Sequence, residues 1–181
     1  MKVNSMRLLD RWVGVPASAM LTGLSRIEDL LRRKTDDGPQ RVLIIKLVEQ
    51  GATVVAEPAL RKLVDRVGRN NVYMAVFEEN RFILDTLNIL PEENVVTLRN
   101  TSLLSVLTTT LRAIRQFRRL RIDTVIDFEF FSRFSAMLAY LSGARRRVGF
   151  HSYAGEAGYR GNLMTHRVAY NVTLHASQIY D

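Results

Sequence analysis

The amino-acid sequence predicts an α/β fold in which a parallel sheet is covered by helices. Three observations lead to this prediction. Short apolar runs alternate with helical stretches from Arg41 onward, the clearest runs are apolar throughout, and the first 34 residues mix apolar with basic side chains. Strands that are buried on both faces are continuously apolar, and alternating strands and helices favour parallel pairing. We therefore expect a Rossmann-like domain that is preceded by an N-terminal amphipathic helical arm.

The predicted elements alternate along residues 41–181. The apolar runs predict strands over 42–45, 72–77, 94–98, 123–128 and 147–150. Helical patterns predict helices over 57–67, 81–87, 103–120 and 132–141, and Pro58 is tolerated because it falls in a first turn. In the long helix we expect an inner stripe made of four apolar residues: Leu104, Leu107, Leu111 and Ile114. The arginines between Arg112 and Arg121 would then form its solvated face.

The arm covers residues 1–34, and a polar linker over 35–40 follows it. Met20, Leu24, Ile27 and Leu31 have the i, i+4, i+7 spacing of an amphipathic helix. Because this arm is basic and amphipathic and contains Trp12, we expect it either to lie on a membrane surface or to pack on its own domain. The uncharged run over 12–25 is shorter than the roughly 20 residues of a membrane-spanning helix, so we expect neither a transmembrane segment nor a signal peptide.

Composition limits the classes of function. The 181 residues include no cysteine, which excludes disulfides and thiolate metal sites. The formal net charge of +8 favours phosphates, nucleic acid or anionic lipid as partners. No aromatic pattern typical of nucleic-acid binding accompanies the charge, so nucleic acid is not an expected partner. His151, His166 and His175 lack metal-ligand spacing, so we expect no metal.

The loop after the first predicted strand is the first candidate site, because ligands bind at the carboxyl ends of parallel strands. It contains Lys46, Glu49, Gln50 and Gly51, and a glycine lets a ligand approach the backbone closely. Glu49 predicts a general base that removes a proton from a hydroxyl group. The alternative, which spacing alone favours, is a solvated loop residue or an ion-pair partner of Lys46.

The loop after the fourth predicted strand is the second candidate. Asp127, Glu129 and Arg133 predict a polar rim that orients a sugar or a phosphate. The alternative is that Asp127 or Ser132 caps the following helix while the phenylalanines at 128, 130 and 131 fill the core. A third group, the arginines Arg145, Arg146 and Arg147, predicts either a phosphate clamp or a solvated turn.

Several of these motifs together resemble glycosyltransferase family 9, the ADP-heptose:lipopolysaccharide heptosyltransferases. The resemblance covers residues 41–181, and order and spacing make it specific rather than any single motif. The matching pieces are Arg41-Val-Leu-Ile-Ile-Lys46, Gly51, Pro58-Ala-Leu60, Val125-Ile-Asp127, Arg133, Ser135, Leu141-Ser-Gly-Ala144, Arg147-Val-Gly-Phe150, Arg160-Gly-Asn-Leu-Met-Thr-His166-Arg167 and Tyr170-Asn171 to His175.

The resemblance implies the N-terminal half of a GT-B architecture. That half takes a lipid-linked or phosphorylated sugar acceptor, and a second domain, which this chain lacks, holds the nucleotide-sugar donor. It implies inverting sugar transfer without a metal or other cofactor, as in lipopolysaccharide core synthesis, by an enzyme of the cytoplasm that associates with the inner face of the membrane. This chain alone is then expected to be inactive.

The same resemblance assigns roles to the candidate residues. The acceptor would contact six residues: Lys46, Gln50, Gly51, Asp127, Glu129 and Arg133. Its phosphates would meet Arg145, Arg146 and Arg147. The better-known members carry an aspartate as catalytic base where this chain has Ala52. We therefore predict that Glu49 replaces it. The alternative is a catalytically inactive homologue that acts as a binding module or at a membrane surface.

Overall fold

The computed structural model describes residues 14–31, 38–130, 132–151 and 161–169. It contains helices α1 (Val15–Leu31), α2 (Gln50–Val55), α3 (Glu57–Val67), α4 (Arg81–Leu87), α5 (Leu103–Arg119) and α6 (Arg133–Leu141). Its strands are β1 (Val42–Ile45), β2 (Val72–Phe77), β3 (Val95–Leu98), β4 (Thr124–Asp127), β5 (Arg146–His151) and β6 (His166–Ala169). Trp12, the rest of residues 1–13 and the first half of the predicted linker lie outside the described residues. None of the helices in the described ranges is long and apolar enough to cross a membrane.

The strands form one sheet in the order β3-β2-β1-β4-β5-β6, and every neighbouring pair is parallel. This arrangement confirms the predicted Rossmann-like α/β fold and all five predicted strands. The sequence analysis assigned no strand over β6. All four residues of β6 are exposed, so this edge strand has no buried apolar run by which to recognise it.

Helices cover both faces of the sheet. Consecutive side chains of a strand point to opposite sides, so an apolar strand contributes to the core on each face. Leu43 and Ile45 of β1 pack in the core that includes residues of α1, α5 and α6. Ile44, between them, packs in the core beneath α3 and α4. We call these two sides the α5 face and the α3 face of the sheet.

The predicted inner stripe of α5 is wrong for three of its four members. Leu104, Leu107 and Leu111 point outward with 70%, 56% and 43% of their surface exposed. The buried residues of this helix are Ala113 and Phe117. Both sets repeat every three or four residues, so periodicity reveals each stripe without deciding which one faces the sheet. The ring of Phe117 buries more area than a leucine, and Ala113 beside it allows the close approach.

Helix α1 also turns its expected apolar face away from the protein. The side that contacts the domain carries three small polar residues and one leucine, all of which are buried: Ser18, Leu21, Thr22 and Ser25. Met20, Leu24 and Ile27 lie on the opposite side and are 46% to 64% exposed. The predicted helix is confirmed, and it packs against α6 through the side that the sequence pattern did not select.

Candidate functional site

The candidate site lies where the order of strands reverses, between β1 and β4. The chain runs from β1 outward to β2 and β3, then returns to begin β4 on the other side of β1. Ile45 and Asp127 end these two strands at the same level of the sheet. Loops that leave such neighbouring strands in different directions open a crevice, which is the usual ligand site of open α/β sheets. The two loops predicted from the sequence therefore meet.

Lys46 is a buried cation at the floor of this crevice. Its side chain is completely buried, and its Nζ lies 3.2 Å from Oε2 of Glu49 and 3.6 Å from Oε1 of Glu129. The same ammonium lies 5.6 Å from the centre of the Phe130 ring. A buried charge is unfavourable unless it is paired. Two carboxylates and an aromatic face supply that pairing here.

Glu129 connects the loop after β4 to the loop after β1. Its Oε1 accepts hydrogen bonds from the backbone N–H groups of Leu47, at 2.6 Å, and Val48, at 3.0 Å. Only 6% of its side chain is exposed. Because its oxygen is already bonded to two amides and faces Lys46, Glu129 organises the loop and presents little surface to an acceptor.

Asp127 stabilises the position of Glu129 through hydrogen bonds at the end of β4. One carboxylate oxygen accepts the backbone N–H of Glu129 at 3.1 Å, and the other accepts the Ser135 hydroxyl at 2.8 Å. Asp127 is buried, so its carboxylate joins β4 to the first turn of α6. Ser132 caps that helix by accepting the N–H of Ser135, as the alternative interpretation of this loop predicted.

The phenylalanines of the second loop behave as core residues where the structure describes them. Phe128 is buried, and Phe130 stacks on Phe150 with ring centres 5.1 Å apart. Phe131 lies outside the described residues. The ring of Phe130 lies over one side of the Lys46 ammonium, and an apolar neighbour strengthens the attraction between a charge and its carboxylate partners.

Asn80, which was not predicted as a site residue, also holds the loop after β1 in place. It is buried, and its Nδ2 donates to the carbonyl oxygen of Leu47 at 2.5 Å. The N–H of Phe77 donates to the same oxygen at 3.2 Å. Asn80 follows the carboxyl end of β2, so its position after an apolar run was the signal that could have placed it at this edge.

Glu49 differs from the other carboxylates of the site because it reaches solvent. Its side chain is 60% exposed, and Oε2 alone bonds to Lys46. Its backbone has φ 68° and ψ 80°, in the left-handed region that a non-glycine residue adopts at a cost of about 1–2 kcal/mol. Such conformations persist where the surroundings enforce them, and they cluster at functional sites. The Glu49 carbonyl oxygen accepts the N–H groups of Ala52 and Thr53, so the first turn of α2 holds this backbone.

The remaining predicted acceptor residues lie at the starts of the helices that follow β1 and β4. Gln50 begins α2, and its Nε2 donates to the carbonyl oxygen of Glu79 at 3.3 Å. A methyl group at Gly51 would meet no atom within 4 Å, so nothing in the described protein requires a glycine there. Arg133 lies in the first turn of α6 and is half-buried.

The three arginines predicted as a phosphate clamp do not join this cluster. Arg146 begins β5 and pairs with Thr124, the first residue of β4, whereas the site lies beyond the last residues of these strands. Arg145 and Arg146 are at the surface on that opposite edge. Arg147 is 2% exposed, and its guanidinium donates to the carbonyl oxygens of Leu163 and Ala144. This geometry favours a structural part for Arg147 over phosphate binding.

No protein-family model and no curated protein matches the chain. Solved structures do match it. The glycosyl transferase family 9 structure from Veillonella parvula DSM 2008 aligns with a TM-score of 0.64 and 15% identity, over 78% of this chain and 39% of that one. E. coli heptosyltransferase WaaC, solved with ADP, aligns with a TM-score of 0.62 and 17% identity, over 77% of this chain and 45% of that one. The same enzyme with ADP-2-deoxy-2-fluoro heptose aligns at 0.55 and 18%.

These matches confirm the resemblance to family 9 glycosyltransferases at the level of the fold. The chain spans less than half the length of each matched structure. Identities of 15% to 18% establish the shared α/β architecture, and they leave the chemistry to be argued from the residues of this chain.

Proposed function

We propose that this chain is the acceptor-side domain of an inverting glycosyltransferase in which Glu49 is the general base. The observation that carries the proposal is the geometry of Glu49: an exposed carboxylate in a left-handed backbone conformation, held over a buried lysine at the strand-reversal crevice. Oε2 bonds to Lys46, and among the described residues Oε1 has no hydrogen-bonding partner. That oxygen is therefore open to a hydroxyl group in the crevice.

The proposed reaction is a single displacement. Glu49 removes the proton from an acceptor hydroxyl, and the oxygen forms a bond to the anomeric carbon of the donor sugar. The bond from that carbon to the nucleoside diphosphate breaks, so the configuration inverts and the diphosphate leaves. Lys46 holds the carboxylate in place, while Glu129 and Asn80 fix the loop that carries it.

The fold match to structures of heptosyltransferases supports the proposed substrates. A nucleotide-sugar, with heptose or a similar sugar, is the donor, and a lipid-linked or phosphorylated glycan such as lipopolysaccharide core is the acceptor. The unfilled space at Gly51 supports close approach of the acceptor to the backbone of α2. The proposed reaction uses no metal or other cofactor. Action on such an acceptor places the protein in the cytoplasm at the inner membrane face.

The experiment compares Glu49→Gln with Glu78→Gln in the protein expressed from its complete reading frame. Glu78 is a matched control, because its carboxylate also lies at this edge, is 54% exposed and pairs with a cation, Arg99. With nucleotide-sugar donors and a phosphorylated glycan acceptor, release of nucleoside diphosphate is measured. We expect kcat to fall about 10²- to 10⁴-fold in Glu49→Gln, with the acceptor KM changed little, and to be unchanged in Glu78→Gln.

A binding module without catalysis is the second candidate, and Ala52 favours it. Ala52 occupies the position at which the better-known relatives carry their catalytic aspartate, so this chain has no carboxylate there. Ala52 lies within α2. This alternative predicts that the wild-type protein binds the glycan in calorimetric titration and releases no diphosphate from any donor. Normal turnover of Glu49→Gln would also contradict the role proposed for Glu49.

A further inference from the structure

The outward side of the α5 face carries large apolar side chains where a solvated surface is usually polar. Of the eleven large hydrophobic residues exposed among the described residues, seven lie on α1 and α5: Met20, Leu24, Ile27, Leu103, Leu104, Leu107 and Leu111. Both helices pack over the same core, with α6 in contact with each. We call the outward sides of α1 and α5 the outer face.

The orientation of α1 is set by specific contacts on its buried side. The N–H of Asn162 donates to Oγ1 of Thr22 at 2.9 Å, and a guanidinium nitrogen of Arg147 donates to Oγ of Ser25 at 3.1 Å. Gly161, at φ 79°, fits so closely that an added methyl group would lie 3.0 Å from Oγ1 of Thr22. Rotating α1 to bury Met20 would break these contacts. The exposed apolar stripe is therefore a consequence of the fold.

On α5 the apolar stripe continues into positive charge. Leu104, Leu107 and Leu111 line one side of the helix over about 10 Å, and Arg115 and Arg118 follow on the same side. Arg112 and Arg119 flank that line and are exposed. Neither α5 nor α6 contains an aspartate or a glutamate. Positive charge on α5 therefore has no acidic neighbour on its own helix.

The α3 face differs from the outer face both in its charge and in its exposed apolar residues. Its helices pair acids with bases one turn apart, as in Glu57 with Arg61 and Asp85 with Arg81. Among the described residues of α3 and α4, Phe82 is the one large apolar side chain that is exposed. This face has the mixed charge of an ordinary solvated surface, so the properties of the outer face do not reflect composition alone.

We propose that the outer face, formed by the leucines and arginines of α5 together with the apolar stripe of α1, binds the surface of an anionic lipid bilayer. Apolar side chains that lie beside a basic row along a helix enter the headgroup region, while arginines attract anionic headgroups. A second copy of this face is disfavoured as the occupant, because the arginine-rich sides of two α5 helices, which contain no carboxylate, would repel each other. Exposure and charge support this proposal whether or not the chain transfers a sugar.

The test is flotation of the complete protein with vesicles of phosphatidylcholine mixed with phosphatidylglycerol, against vesicles of phosphatidylcholine alone. We expect binding to the anionic vesicles only, weakened by salt. The combined variant Arg112→Gln, Arg115→Gln, Arg119→Gln should bind at least about ten-fold more weakly, since each arginine near the surface contributes to the attraction. The matched control removes the same charge from α3, with Arg61→Gln, Lys62→Gln and Arg66→Gln, and should bind as the wild type does.

Two further variants test the apolar stripes. Leu104→Gln with Leu107→Gln and Leu111→Gln, and separately Met20→Gln with Leu24→Gln and Ile27→Gln, should each weaken binding by a similar factor. Phe82→Gln should have no effect. All these side chains are exposed, so circular dichroism and melting temperature should match the wild type.

Three outcomes would overturn the proposal: equal binding to neutral vesicles, equal loss in the α3 control, or no loss in the α5 leucine variant. A wild-type protein that sediments as a dimer, and becomes monomeric in that leucine variant, would assign the face to self-association instead. Turnover on a short, soluble acceptor tests the proposed catalysis separately, because lipid-binding variants should retain it.

Discussion

Lys46 and Arg147 are both buried cations, and their surroundings differ in kind. The guanidinium of Arg147 donates to Leu163, Ala144 and Ser25, which belong to three parts of the chain, and lies 5.3 Å from the centre of the Tyr140 ring. These three hydrogen bonds end on neutral oxygens. Lys46 instead faces two carboxylates, one buried and one exposed.

This difference separates a structural cation from one that belongs to a site. Arg147 joins β5 to α1 and to the segment before β6, and nothing in that arrangement reaches toward a ligand. Lys46 has comparable burial, yet its charge is shared with Glu49, which is open to the crevice. Burial alone therefore does not distinguish the two, whereas the exposure of the partner does.

The largest expected effect comes from removing the structural cation. Arg147→Met would leave the buried carbonyls of Leu163 and Ala144 without this donor, so we expect a loss of about 3 kcal/mol in the free energy of unfolding and a Tm lower by roughly 10 °C. Urea denaturation measures the first and calorimetry the second. The control, Arg145→Met, is exposed and should change stability by less than about 0.5 kcal/mol. Equal stability of the two variants would contradict the structural role.

An intermediate effect is expected at the buried carboxylate beside Lys46. Glu129→Ala removes the acceptor of two amide groups and should lower the free energy of unfolding by about 2–3 kcal/mol. Glu49→Ala removes an exposed carboxylate from the same lysine and should change it by less than about 1 kcal/mol. Urea denaturation compares them. A larger loss in Glu49→Ala would mean that Glu49 stabilises the fold and that its geometry needs no functional explanation.

The smallest effect is expected at Gly51. Because a methyl group would meet no neighbour, Gly51→Ala should raise the free energy of unfolding by about 0.5–1 kcal/mol, the usual difference between these residues in a helix. The same variant should raise the acceptor KM if the acceptor approaches this backbone. Unchanged kinetics in a stabilised variant would remove Gly51 from the acceptor site.

Much of the fold could be predicted from local patterns. The runs that became β1 and β2 are buried and apolar, so their positions follow from hydrophobicity alone. The alternation of strands with helices predicted parallel pairing. Because ligands bind at the carboxyl ends of parallel strands, the loops after β1 and β4 became the two candidate sites. Strand β6 lacked any such pattern because it is exposed, and was missed for that reason.

The position of the candidate residues at the sheet edge was predicted, whereas their division into buried and exposed groups was not. Lys46, Glu49, Asp127 and Glu129 were correctly expected near the carboxyl ends of two strands. Their division into buried organisers and one exposed carboxylate depends on contacts between residues about 80 positions apart, such as Glu129 with Leu47. No local pattern contains that information. The roles of these residues toward an acceptor remain predictions.

By itself, the sequence determined five of the six described strands, five of the six described helices, the parallel sheet, and the sheet edge at which the candidate loops lie, because those depend on neighbouring residues. Tertiary structure decided which side of α1 and of α5 faces the core, since a helix with two candidate stripes buries the one that fits its neighbours best. It also decided that Arg147 is internal while Glu49 is exposed, because burial of a charge depends on partners that only folding brings together.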